Sequence, residues 1–225
     1  MNIALDATYS VGRDLSGVGV YSCELLTGLT RAHPEARFEF CYRPHRILRS
    51  FGSRLPANAS RFLLGETRAP RSADLFHGLN QRLPRLPLRR AVTTFHDLFV
   101  LTGEYSTPEF RQRFAEQARQ AAERSGRIIA VSQFTAQQVI DVLRVDPGKV
   151  RVVHHGVRAP IQISAHREKV ILHVGAIQHR KNIARLVEAF EKVDPDWQLV
   201  LAGSAGYGAP EILAKIANSP SRARI

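Results

Sequence analysis

The chain has 225 residues, 44% of them apolar and 23% charged, and its 32 lysines and arginines against 20 aspartates and glutamates give a net charge of +12. This is a globular composition, long enough for one large domain or two modest ones. Two cysteines, Cys23 and Cys41, exclude a disulfide scaffold. No apolar run approaches the ~20 residues needed to span a bilayer, and Met1 to Asp6 reach an acid before the apolar part of a signal segment can form. The expectation is a protein of the reducing cytosol, soluble or peripheral to a membrane. The positive excess raises the concentration of any anionic partner near the surface, and nucleic acid, an anionic membrane and a phosphorylated donor or lipid-phosphate acceptor all satisfy that field.

Short apolar runs alternate with longer segments of helical period, which predicts an α/β fold with parallel strands covered by helices. In chain order the strands are expected at Ile3–Ala7, Arg37–Tyr42, Asp74–His77, Ala91–His96, Arg127–Val131, Val150–His154, Lys169–Val174 and Gln198–Ala202. Tyr21, Leu25, Leu26 and Leu29 share one helical face, read as core. Phe110, Phe114, Ala118 and Ala122 form another, on a segment opened by Thr107 and Pro108. The Arg- and Pro-rich stretch from Leu83 to Arg90 reads as a surface loop with solvated charges. A third apolar face, Ile183, Leu186, Val187 and Phe190, follows Asn182, whose side-chain oxygen suits it to cap that helix. A last helix is expected from about Pro210 to Asn218.

From Gly156 to Arg167 the period is lost and Pro160 intervenes, so a domain is expected at 1–157, a linker at 158–168 and a second domain from 169 to 225. That second part holds only two expected strands, too few for an independent domain. The closing Ser-Pro-Ser-Arg-Ala-Arg-Ile reads as a connection entering a further strand, hence as a chain cut off inside its second domain.

Three segments carry candidate chemistry. Gly17-Val18-Gly19 lies between the first strand and the first helix, where bare backbone N–H groups and a helix start can receive an anion. A tight turn accounts for it equally well, and the full Gly-x-Gly-x-x-Gly dinucleotide pattern fails, its third glycine position being Ser22. His96-Asp97 ends a strand, where open α/β sheets place ligands; His96 is suited to a sugar hydroxyl or phosphate, with Asp97 setting its tautomer or capping the next segment. His154-His155-Gly156 is better read as a strand end and turn than as a metal site, because adjacent strand residues face opposite ways. The third segment, Val174 to Asn182, brings Gly175, Arg180 and Lys181 to a helix start, a grouping that suits a diphosphate. Cations beside a helix N-terminus oppose its dipole, so Arg180 and Lys181 call for a compensating anion.

Taken in order from residue 1 to residue 225, these segments resemble glycosyltransferase family 4. The matching stretches are Gly17-Val18-Gly19, His96-Asp97-Leu98, Val131-Ser132-Gln133-Phe134, His155-Gly156-Val157, Gly175 through Arg180-Lys181-Asn182, and Leu199-Val200-Leu201-Ala202-Gly203. The resemblance implies a retaining GT-B enzyme of two Rossmann-like domains. It would move a hexose from a nucleotide-diphosphate sugar to a glycan or lipid-linked acceptor, in cell-envelope polysaccharide synthesis at the cytoplasmic face. By the same resemblance Gly17 and Gly19 lie near the donor phosphate or sugar and His96 contacts the sugar. Arg180 and Lys181 neutralise the diphosphate, Gly175 and Asn182 complete the donor site, and no metal or other cofactor is needed.

Two departures bear on this. Ala176 stands where some relatives carry an arginine, and the family's Glu-seven residues-Glu signature has no counterpart, Glu211 being the single acid after Gly203. The expectation is that the 225-residue chain binds donor poorly and transfers little. The alternative is a basic polyanion-binding or non-catalytic α/β module. It lacks any zinc-finger, helix-turn-helix or RNA-binding aromatic signature, so no nucleic-acid partner is expected.

Overall fold

A computed structural model describes residues 1–65, 67–157 and 167–225. The chain divides into two compact units, the first of Met1–Thr102 with Pro108–Val157 and the second of Gly103–Thr107 with Arg158–Ile225. The expected linker at 158–168 falls, from 158 to 166, outside the described residues. No helix among the described residues is long and apolar enough to cross a membrane.

The first unit contains β1 (Asn2–Asp6), α1 (Gly17–Ala32), β2 (Arg37–Tyr42), α2 (Pro44–Ser50), β3 (Ala59–Leu63), β4 (Leu75–Gly78), β5 (Ala91–Phe95), α3 (Phe99–Thr102), α4 (Pro108–Arg124), β6 (Arg127–Ala130), α5 (Gln133–Leu143) and β7 (Val150–Val152). The strands form one sheet in the order β3-β2-β1-β4-β5-β6-β7, every neighbouring pair parallel. Parallel strands need both faces covered, and successive residues face opposite ways. Ala4 and Cys41 accordingly belong to one buried cluster with Phe76, Phe95 and Ile128, while their chain neighbours Leu5 and Phe40 belong to another with Phe38, Leu26 and Leu79. This is a Rossmann-like doubly wound sheet, and its order reverses between β1 and β4. In such sheets a crevice opens beyond the carboxyl ends of the strands at that reversal.

The strand at Ala59–Leu63 was not expected; its Ala-Ser-Arg-Phe-Leu sequence lacks both an apolar run and an alternation, and it pairs on one side alone, with β2. Two other readings need correction. Phe110 is 40% exposed rather than core, while Phe114, Ala118 and Ala122 of the same face are buried. The stretch from Leu83 to Arg90 is not a freely solvated loop: Leu83 is buried, Arg124 donates to the carbonyls of Pro84 and Leu86 at 2.6 Å each, and Arg89 pairs with Asp74 at 2.9 Å.

The second unit contains β8 (Val170–Val174), α6 (Ile183–Phe190), β9 (Gln198–Ala202) and α7 (Ala209–Ala217), with β8 and β9 paired in parallel. Ile183, Val187, Phe190, Leu199 and Ile212 form its buried cluster. The closing residues do not run extended toward a strand. Arg222–Arg224 form a 3-10 turn, and Arg224 donates to the carbonyls of Asp194 and Trp197 at 3.0 and 3.2 Å with its guanidinium 4.7 Å from the Phe190 ring.

Candidate functional site

In the first unit the candidate side chains gather where the sheet ends. Ser16 caps α1 by accepting from the Gly19 N–H at 3.3 Å, so Gly17 and Gly19 are the first and third residues of the helix. The two glycines differ in cause. A Cβ on Gly19 would lie 2.8 Å from the Tyr9 carbonyl oxygen, so packing of the helix start requires it; a Cβ on Gly17 would meet nothing within 4 Å. One helical turn on from Gly17, Tyr21 reaches Thr94 at the end of β5 and the rings of His96 and His155, which follow β5 and β7.

Tyr21 packs against the buried cluster of Leu26 beside Leu25 and Leu29, as expected. Its hydroxyl also lies 3.0 Å from the Thr94 hydroxyl, which lies 2.9 Å from Nε2 of His77, a network of three neutral groups. The Tyr21 ring meets His96 edge-on at 4.8 Å and His155 at 4.8 Å, and the His96 and His155 rings stack at 5.4 Å. His96 Nε2 lies 2.9 Å from the Leu79 carbonyl oxygen. A carbonyl can only accept, so Nε2 carries the proton, and Leu79 rather than Asp97 sets the tautomer. Burial holds His96 below the ordinary histidine range, with the Leu79 bond opposing and His155 reinforcing the shift. The ring is therefore neutral at pH 7, and Nδ1, for which the described residues offer no hydrogen bond, is left as an acceptor. A neutral acceptor suits a hydroxyl and gives nothing to a phosphate.

Burial, reinforced by the charge of His96, lowers His77 from 6.5 to about 4. Between those two values the unfolded chain binds a proton that the folded chain refuses, so folding stability is whole above about 6.5 and falls as pH drops toward 4. The loss is roughly 3 kcal/mol across that window. Urea midpoints at pH 7 and pH 4.5 are expected to show it, with a shallower pH dependence in His77→Gln. His96 and His155 are shifted the same way and leave a residual slope. Equal slopes in the two chains would remove His77 as the cause.

The sequence offered little signal for Tyr21, His77 and His155 as site residues. Each fits a core helix, a strand end or a turn, and they meet because β4, β5 and β7 end on the same edge. Among the described residues no three His, Cys, Asp or Glu side chains are grouped so as to hold a metal ion.

In the second unit the loops after β8 and β9 remain paired. Gly175 donates to the Ala202 carbonyl at 2.9 Å and Ile177 to that of Ser204 at 2.9 Å. Gly175 stands at φ 149°, a conformation that side-chain-bearing residues rarely adopt. A 3-10 turn, His179–Lys181, then places Arg180 and Lys181 directly before α6. His179 is held by Glu211 at 2.5 Å. Asn182 does precede α6, but the expected cap is absent: at φ 51°, ψ 39° it is left-handed, and its side chain accepts no first-turn N–H. The tight 3-10 turn imposes that conformation, in which asparagine is among the better-tolerated residues. What the turn assembles is a helix start with its positive dipole end and two cations beside it, an anion-binding chemistry.

A doubly wound sheet with such a cluster at its carboxyl edge, and a second βα unit with a basic glycine loop, define an α/β chain of the Rossmann-like class. Residues 15–159 match the family described as Glycosyltransferase Family 4, and residues 159–218 match Glycosyl transferases group 1. The chain belongs to glycosyltransferase family 4. Sucrose-phosphate synthase from Thermosynechococcus elongatus superposes with a TM-score of 0.70 at 17% identity, over 99% of this chain and 69% of that one. HepE from Anabaena, solved in complex with UDP, does so at 0.63 and 18% identity, over 99% and 67%. O-antigen chain mannosyltransferase B of Escherichia coli is 26% identical over 151 residues, 59% of this chain and 39% of that protein. The match thus spans about two-fifths of that curated relative's length.

Proposed function

We propose that the chain serves transfer of a hexosyl group from a nucleotide-diphosphate sugar to a hydroxyl of a glycan or lipid-linked acceptor, with retention of configuration. The observation that carries this reading is His96, a neutral ring tied through Nε2 to Leu79 with Nδ1 open at the edge of the sheet. His96 accepts a hydroxyl of the transferred sugar, and Gly17 and Gly19 keep the start of α1 open to the donor. In the second unit Gly175 and Asn182 shape the loop on which Arg180 and Lys181 receive the diphosphate. As the C1–O bond breaks, its electron pair passes to the phosphate oxygen; the acceptor oxygen bonds C1 and gives its proton to the departing diphosphate. The two cations bind the diphosphate more strongly as its charge grows, which lowers the barrier. The reading assigns no metal, because these cations supply the neutralising charge.

Family membership supports sugar transfer, and the solved complexes of HepE with UDP and with UDP-glucose support the donor class. The name of the Escherichia coli relative supports a place in cell-envelope polysaccharide synthesis, which the reading sets on the cytoplasmic side. The net charge of +12 supports peripheral contact with an anionic membrane. Calorimetric titration with UDP, GDP and ADP and with their monophosphates tests the reading. At least one diphosphate is expected to bind about tenfold tighter than its monophosphate, as one charge-assisted phosphate contact provides. That preference should persist with EDTA and disappear in Arg180→Gln/Lys181→Gln. Equal binding of mono- and diphosphates by the unmodified chain would sink it.

A further inference from the structure

Away from His96, the first unit carries a second polar concavity on the same carboxyl edge. A pocket of about 250 Å3 is lined by Arg43, Arg82, Arg85 and Arg113, with Glu116 the one acidic wall residue among the described residues. A neighbouring pocket of about 290 Å3 shares Arg82 and Arg113 and adds Tyr9 and Gln81. Four arginines from separate parts of the chain line this concavity. Arg43 follows β2, Arg82 and Arg85 follow β4, and Arg113 is on α4.

Among the described residues, internal acids leave much of the charge of Arg43, Arg82 and Arg113 unanswered. Asp6 pairs with Arg43 at 3.4 Å, but the Arg43 Nε is buried without a hydrogen-bond partner. Among the described residues the Arg82 side chain has no ion pair, and Arg113 has the face of the Phe110 ring, 5.5 Å from its guanidinium. That stacking explains why Phe110 stays exposed where its helical face is otherwise core, and it holds the Arg113 fork in place. Like charges gathered round one concavity repel unless an anion joins them, and planar guanidinium forks match the paired oxygens of a phosphate.

We propose that this concavity binds a phosphate-ester group, and that the group belongs to the acceptor. The assignment to the acceptor rests on the function proposed above, in which the donor diphosphate is taken by Arg180 and Lys181. Two features support it. The loop that supplies Gln81 and Arg82 is the one whose Leu79 carbonyl holds His96, so anion and reacting sugar are gripped by one segment. Tyr9 and Gln81 add neutral hydrogen-bonding groups beside the arginines, suited to hydroxyls on the residue that bears the phosphate.

The test titrates the full chain with inorganic pyrophosphate, glucose 1-phosphate, and vesicles containing phosphatidic acid. Arg82→Gln/Arg113→Gln is expected to weaken glucose 1-phosphate or the vesicles at least about tenfold, the size of one lost charge-assisted contact. Pyrophosphate, which also suits the second unit, should lose part of its binding. Arg82→Lys/Arg113→Lys, which keeps the charge and loses the fork, should fall between. Loss of glucose 1-phosphate marks a soluble ester and loss of vesicles a membrane-borne one; unchanged affinity for both overturns the site. Thermal melting of each variant separates this from misfolding. Arg180→Gln/Lys181→Gln distinguishes the two readings: it should weaken nucleoside diphosphates and spare glucose 1-phosphate. If it spares the diphosphates while the Arg82/Arg113 variant still loses phosphate, the donor reading fails and the pocket stands.

Discussion

Gly203→Ala is expected to unfold the second unit under conditions in which the unmodified chain is intact. A Cβ at this position would lie 1.9 Å from the Gly175 carbonyl oxygen, 2.5 Å from its carbonyl carbon and 3.2 Å from the Ala176 nitrogen. These are backbone atoms and cannot swing aside. Gly175 is itself held by its bond to the Ala202 carbonyl and by its φ of 149°. Relief therefore requires parting the loops after β8 and β9, with loss of the Gly175–Ala202 and Ile177–Ser204 hydrogen bonds. Overpacking together with two lost backbone bonds amounts to on the order of 4 kcal/mol. Five buried apolar residues form the core of this unit, so a loss of that size is large against its reserve. Limited proteolysis should cut Gly203→Ala between residues 170 and 225 at protease levels the unmodified chain resists. Gly17→Ala, where the new Cβ meets nothing within 4 Å, serves as the control and should stay within about 0.5 kcal/mol of the unmodified chain. An unchanged cleavage pattern in Gly203→Ala would refute the close approach of the two loops.

On the proposed function, the low level of transfer expected of this chain should fall a further 10²- to 10³-fold or so in His96→Ala, about the range seen when one oriented hydrogen-bonding group is removed from a reacting centre. More diagnostic is a ratio of affinities. The reading gives His96 to the sugar and the cations to the diphosphate, so His96→Ala should weaken a nucleotide sugar while changing the nucleoside diphosphate less than twofold. His96→Gln restores a neutral hydrogen-bonding side chain and should recover part of the difference. If the two ligands weaken in parallel, His96 acts through the fold alone, by leaving the Leu79 carbonyl without its donor.

Much of the architecture was legible because parallel strands buried on both faces must be short apolar runs. Arg37–Tyr42 and Gln198–Ala202 came out with the observed bounds. Others were one or two residues long at the carboxyl end, where the chain leaves the sheet without a change in side-chain character; Val150–His154, for instance, stops as a strand at Val152. The edge strand at Ala59–Leu63 was illegible for the opposite reason, since half-exposed Arg and Ser residues leave no periodic signal. The loop from Gly175 to Asn182 announced an anion because glycine, arginine, lysine and a helix start lie within one short segment. The backbone conformation of Asn182 was not announced, because cap propensity describes a residue and not the 3-10 turn that precedes it.

What the sequence determined by itself is what depends on neighbours along the chain: the alternation of strands and helices, the basic glycine loop, and the order of segments shared with glycosyltransferase family 4. Only the tertiary structure decided how His96 is used. Its tautomer is set by a carbonyl 17 residues away, and its ring is walled by Tyr21 and His155 from opposite ends of the unit. Tyr21 and Thr94, 73 residues apart, meet for the same reason. A parallel sheet returns each strand to the same edge through a long crossover, so residues distant in sequence are brought together at its carboxyl ends, and no local pattern records which of them will touch.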